Sequence, residues 1–193
     1  MKNRLPFVAL AALALGLAST ASAAVETYVA DPAHSSVNFS IRHFFTNVPG
    51  RFTKFSATLT VDRDNLEKSS AEATIEIASV KTEAPDRDAH LQKPEFFDAA
   101  QFPTMTFKSR SWKKTGADAF AVTGDLTVKG VTKEVVLNVK SLGFGPGMQP
   151  GSMLSGWEGS LTVNRSDFGV SAFPKVVGEE VAITINVEAD LKK

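Results

Sequence analysis

The chain has no cysteine. That excludes disulfides as a source of stability, and it excludes a thiol nucleophile or a thiolate metal site. It also removes the residue that would carry a lipid anchor. Histidine is almost as scarce. His34, His43 and His90 are the three present, and none falls into the His-Glu-x-x-His or His-x-His spacing of a metal centre. There is no Gly-x-Ser-x-Gly elbow, and Gly143-Phe144-Gly145-Pro146-Gly147 is not poised between a strand and a helix as a phosphate cradle would be. Charge has no preferred sign, with 21 basic and 21 acidic residues. This argues against a nucleic-acid partner, whose footprint is a basic face, and against steady attachment to anionic headgroups. Tyrosine occurs once and tryptophan twice, against 14 phenylalanines, so the aromatic content is strongly apolar.

The one long apolar run lies at the N-terminus. Lys2 and Arg4 precede Leu5 to Leu17, and Ala21-Ser22-Ala23 offers small residues for cleavage. Residues 1–23 are therefore expected to be an export signal. At about 1.5 Å per residue the run falls short of a hydrocarbon core roughly 30 Å thick, so no permanent membrane anchor is expected. Residues 24–193 suit one domain, with the periplasm as the expected address and secretion as the second choice.

The remainder alternates. Val37, Phe39 and Ile41 are interleaved with polar residues. Phe55, Ala57, Leu59 and Val61 follow the same rule, as do Val181, Ile183, Ile185 and Val187. Neighbouring side chains on a strand point to opposite faces, so each segment is sheet with one apolar side. Repeated about eight times, the pattern predicts an all-β, antiparallel barrel of about eight strands. Asn47-Val48-Pro49-Gly50 reads as a turn, and Phe52 is out of phase with Phe55, which predicts a bulge or bend. Gly143 to Ser152 reads as a mobile loop.

Alternation stops between Thr82 and Pro103, between strands three and four. Asp86 is a candidate cap for one short helix and Pro94 a candidate first-turn residue of another. The segment packs Phe96, Phe97 and Phe102 beside Arg87, Asp88 and His90, an apolar plug with a polar rim. Arg87, Asp88 and His90 have two readings: a headgroup or proton-transfer site, or a lock in which Arg87 and Asp88 pair with strands and His90 satisfies a backbone carbonyl. Phe39, Ile41, Phe55, Leu59, Ile75, Ile77, Phe107, Val122, Leu126, Leu137, Trp157, Leu161, Ile183 and Ile185 are expected to face inward. Phe52, Leu91, Phe96, Phe97, Phe102 and Phe168 should close the ends. Pattern alone leaves a solid core and a ligand tunnel equally open.

A series of motifs runs through the chain: Asp31-Pro32-Ala33-His34-Ser35, Val48-Pro49-Gly50-Arg51-Phe52, Thr82, Arg87-Asp88-Ala89-His90-Leu91, Phe96-Phe97-Asp98, Phe102-Pro103, Phe107-Lys108-Ser109, Gly124-Asp125-Leu126, Lys129-Gly130-Val131-Thr132 and Asn164-Arg165-Ser166-Asp167-Phe168-Gly169. In this order they resemble the YceI-like family of bacterial exported proteins. The resemblance implies a lipocalin-like barrel whose long tunnel binds polyisoprenoid or other long-chain amphiphiles, for transport, storage or stress response. It implies no agreed catalytic set and no cofactor. The expected ligand is then a quinone-like or other isoprenoid-type lipid, with the alternatives of an enzyme acting on an apolar lipid substrate or a ligand-free stress-response structural protein. A homodimer stays open.

Overall fold

The computed structural model describes residues 25–192, so the expected export signal at 1–23 lies outside the described residues. The alternating segments form strands, in chain order β1 (Glu26–Ala30), β2 (Ser36–His43), β3 (Thr46–Phe52), β4 (Phe55–Val61), β5 (Ser70–Glu76), β6 (Val80–Lys81), β7 (Thr104–Lys114), β8 (Ala119–Val128), β9 (Val131–Pro146), β10 (Met153–Asn164) and β11 (Val177–Leu191). One α-helix, α1 (Pro85–Leu91), stands between β6 and β7. All pairings are antiparallel. β1, β4, β5, β7, β8, β9, β10 and β11 form a ring closed where Tyr28 faces Leu191 and Ala30 faces Ala189. The β2–β3 hairpin extends the wall along β11, with Ile41 opposite Val181 and Val37 opposite Ile185. The result is a closed, eight-stranded, lipocalin-like barrel in which β1–β2 and β3–β4 each behave as one bent strand.

Several boundaries differ from expectation, each for a local reason. Val48-Pro49-Gly50 is strand, not turn; the turn is Phe44-Phe45, between paired His43 and Thr46. Pro49 is tolerated because β3 has no second neighbour before Arg51, so its missing N–H falls on a free edge. The break between Phe52 and Phe55 occurs at Thr53-Lys54, as the phase shift predicts. The loop expected at Gly143 to Ser152 shrinks to 147–152, because β9 continues to Pro146. Phe144 holds it there, its ring 5.8 Å from Tyr28 and 5.6 Å from Trp157. Pro94 starts no helix, and α1 begins with Pro85 in its first turn and Ala84, not Asp86, at the cap.

Two apolar clusters lie at opposite ends of the strands. One joins Tyr28, Leu59, Val61, Trp112, Phe120, Val122, Val139 and Trp157. The other joins Phe52, Ile75, Ile77, Val80, Phe96, Met105, Val128 and Phe168 beneath the α1 segment. Between them Phe39, Ile41, Phe107, Leu126, Leu137, Ile183 and Ile185 are only half-buried although they point inward. Inward side chains that keep free surface face a space, so the barrel is hollow.

Gly124 shows how tightly the wall itself is packed. A Cβ there would lie 2.6 Å from the Lys108 carbonyl oxygen and 2.7 Å from the Phe107 ring, beside the register shift between Ser109 and Ser111. Gly124→Val should therefore destabilise the fold by about 1–3 kcal/mol, lowering Tm by about 2–12 °C for a chain of this size. Gly145→Ala, with no heavy atom within 4 Å of the new carbon, should stay within about 0.5 kcal/mol. Thermal melts of the two variants check the contrast.

Candidate ligand cavity

The interior is a cavity of about 540 Å³, within the usual range for a small-molecule site. Of the residues expected to face inward, Phe39, Ile41, Phe55, Leu59, Ile75, Phe107, Val122, Leu126, Leu137, Trp157, Leu161, Ile183 and Ile185 line it. Phe52, Leu91, Phe96, Phe97 and Phe168, expected at the ends, line it too. Ile77 does not. It begins a 3-10 turn at Ile77–Ser79, where the strand period ends, and is buried in the cluster under α1. Phe102 does not either. Its ring packs on Gly130, where Lys129 and Gly130 both take positive φ (50° and 74°) to make a two-residue hairpin turn between β8 and β9.

The sequence reading missed Trp112. It lies five residues from Phe107, an odd spacing that predicts opposite faces, but the register shift between Ser109 and Ser111 brings both rings inside. Its ring meets Trp157 edge-on at 5.6 Å and Phe120 at 5.9 Å. Together with Phe144 and Tyr28 these rings floor one end. Tyr28 donates its hydroxyl to Glu26 Oε2 at 2.6 Å. Burial, reinforced by Glu26, pushes the Tyr28 hydroxyl up to about 12, so it remains a donor at any ordinary pH.

The opposite end is the mouth, bounded by α1, the β2–β3 hairpin and the segment 170–177. His43, Arg87, His90 and Phe173 line it. Arg87 donates from Nε to Thr82 Oγ1 at 2.8 Å and from a terminal nitrogen to the Thr82 carbonyl at 2.7 Å. Asp88 is not in the cavity. It is buried, and its Oδ1 accepts the Thr82 amide at 2.8 Å and the Thr82 hydroxyl at 2.6 Å, with Lys81 Nζ 3.7 Å from Oδ2. The headgroup expectation thus fails for Asp88, because its acceptor oxygens are spent tying α1 to the neighbouring strand. Burial pushes the Asp88 carboxyl up, but the two Thr82 hydrogen bonds and the Lys81 and Arg87 charges outweigh it, holding it below its ordinary value of 3.8. His90 meets Glu95 at 2.9 Å, not a backbone carbonyl, and stands edge-on to Phe96 and Phe173.

Arg165 is the other residue the sequence did not single out. It is buried, and its guanidinium donates to the carbonyls of Gly178, Val170, Ala172 and Val177 at 2.7–2.9 Å. One planar fork thereby fixes the whole 170–178 segment over the mouth. Lys129 Nζ, reaching the carbonyls of Pro94 (2.7 Å) and Gly169 (3.2 Å), clips that segment to the α1 insert. Away from the cavity, His34 Nδ1 lies 2.6 Å from Asp31 Oδ2 and 3.8 Å from Glu188. The hydrogen bond to Asp31 raises the His34 pKa, and the pair closes the turn between β1 and β2.

A hollow antiparallel barrel with an aromatic floor and a polar-rimmed mouth is the lipocalin-like class, wide enough inside for one small ligand. Within that class the assignment is direct: the YceI-like domain matches residues 28–189, and the chain belongs to the YceI-like family. It is 36% identical over 195 residues to Protein YceI of Salmonella arizonae, covering 100% of this chain and 99% of the relative. Among solved structures it is similar to Burkholderia cenocepacia BcnA (28% identity, TM-score 0.76, covering 82% of this chain and 98% of that one). A polyisoprenoid binding domain from Saccharophagus degradans shares the fold at 16% identity and TM-score 0.63, over 88% of this chain and 100% of that one.

Asp88→Ala should leave the buried Thr82 donors without an acceptor, costing about 1.5–3 kcal/mol and about 3–12 °C in Tm near neutral pH. Because the folded-state pKa is depressed, the carboxylate's contribution is complete above about pH 5 and fades as pH falls past 3.8 towards the folded value. Melting curves of wild type and variant from about pH 7 to pH 2 should therefore converge at the acid end.

Proposed function

We propose that the barrel holds the tail of one long-chain, isoprenoid-type amphiphile, tail towards the Trp112–Trp157 floor and headgroup at the His43, Arg87 and His90 rim. The observation that carries this reading is the cavity of about 540 Å³ walled by apolar side chains from seven of the eight ring strands and from the β2–β3 hairpin. Each buried CH₂ gains about 0.8 kcal/mol, so a tail of roughly fifteen carbons gains on the order of 12 kcal/mol before ordering and immobilisation subtract several. Micromolar or tighter binding then needs no polar contact. A proton-transfer role for the Arg87, Asp88 and His90 set has little support, since Arg87 and Asp88 are committed to Thr82 and His90 to Glu95. The polyisoprenoid binding named for the Saccharophagus degradans domain points the same way. The proposed address is the periplasm, on the strength of Lys2, Arg4, the apolar run and Ala21-Ser22-Ala23. A transport or storage role follows from the chemistry, because such a lipid does not cross water unaided.

The chain's two tryptophans, Trp112 and Trp157, both line the cavity, so intrinsic fluorescence reports occupancy directly. Titration with geranylgeraniol should shift or quench that emission saturably. Ala73 lines the cavity opposite Ala57, where two small side chains leave room. Ala73→Phe should fill that room and weaken binding by about tenfold or more, about 1.4 kcal/mol. A wild-type titration without a saturable response would defeat the reading.

A further inference from the structure

The mouth carries an apolar feature that neither the barrel nor the cavity uses. The two-residue turn between β2 and β3 is Phe44-Phe45, with Phe45 92% and Phe44 54% exposed and their rings stacked at 6.3 Å. Turn chemistry favours Asn or Gly at such positions, and Phe44 takes φ 48°, a region that bulky residues avoid. Neither turn geometry nor core packing calls for two phenylalanines here. Phe173, 51% exposed, stands on the adjoining 170–177 segment, to which Phe44 donates a hydrogen bond from its backbone N–H to the Val176 carbonyl at 2.9 Å. Three exposed phenyl rings thus stand at the one end where the cavity opens. Among the described residues, two of the basic side chains beside them have no carboxylate partner, while the α1 side of the mouth carries Glu83, 3.9 Å from Arg51, and Glu95, paired with His90. Segments 40–52 and 168–178 contain Arg42, Arg51 and Lys175 and no acidic residue. Among the described residues neither Arg42 nor Lys175 is paired with a carboxylate, and both are exposed.

We propose that the Phe44-Phe45 tip, with Phe173 beside it, inserts into the interfacial layer of an anionic bilayer and sets the cavity mouth against the lipid from which the amphiphile is taken. Aromatic side chains favour that layer, and the exposed Arg42 and Lys175 complement anionic headgroups. The balanced charge of the whole chain gives no steady attachment; the tip supplies a local and reversible one. The proposal rests on the lipid-tail reading of the cavity, and its test separates the two.

Flotation with vesicles of phosphatidylethanolamine and phosphatidylglycerol would compare wild type with Phe44→Ser/Phe45→Ser and with Lys175→Glu. Neither Phe44, Phe45 nor Lys175 lines the cavity. Wild type should float, the double variant should lose about tenfold or more in partitioning, and Lys175→Glu should lose part of it, most at low salt. Geranylgeraniol affinity of the double variant, read in vesicle-free solution by tryptophan emission, should stay within about twofold of wild type. Normal flotation without geranylgeraniol binding would keep the docking surface and defeat the cavity reading. Wild type that fails to float, or floats no better than the double variant, would overturn the docking proposal. So would tip-dependent dimers in sedimentation without flotation, which would assign the tip to a second copy of the chain.

Discussion

Closure of the ring between β1 and β11 is the constraint on which the rest depends. Three residue pairs, Tyr28 to Leu191, Val29 to Asp190 and Ala30 to Ala189, turn an open sheet into a barrel. Closure removes both sheet edges from the ring and fixes which side chains face in. Eight strands enclose more space than the chosen side chains fill at mid-height, where Ala57, Ala71, Ala73 and Gly159 join larger residues on the wall. The two ends are treated differently. Tyr28, Trp112, Phe144 and Trp157 fill one, while the other is spanned by chain segments held at their backbones.

That second end is built from a few polar side chains used as clamps. Asp88 and Arg87 both bind the Thr82 hydroxyl, Arg165 gathers four carbonyls of one segment, and Lys129 links that segment to the α1 insert. Of these, Asp88 and Arg165 are buried; a buried charge is costly unless satisfied, and both have hydrogen-bond partners within the cover. Arg87, Asp88 and Arg165 thus hold the cover in place, while the cavity wall is apolar. Such a division suits recognition of a tail rather than chemistry on a headgroup.

The strands were legible wherever alternation was unbroken, as in β4, β8 and β11, and the inward residues read from them line the cavity. The rest was hidden for definite reasons. β1 was not read because Glu26-Thr27-Tyr28-Val29-Ala30 alternates only weakly, and its role is visible only once β11 lies beside it. β3 was masked by Pro49-Gly50, residues that a free edge tolerates. Trp112 was lost to a bulge that reverses the phase after Phe107. Ile77 and Phe102 were misplaced because one follows the end of β5 and the other lies within the insert, where no period constrains a side chain. Arg165 sits in a short 3-10 turn, Arg165–Phe168, and the carbonyls it binds come from elsewhere in the chain's path.

The central claim is that the hollow is a container for an apolar tail. Native mass spectrometry of the protein purified from its native host, paired with organic extraction, tests it most directly. The account predicts a mass above that of the polypeptide, lost on extraction, with the extract yielding a long-chain isoprenoid-type amphiphile in about one copy per chain. A bare polypeptide that also takes up no long-chain lipid on titration would contradict it.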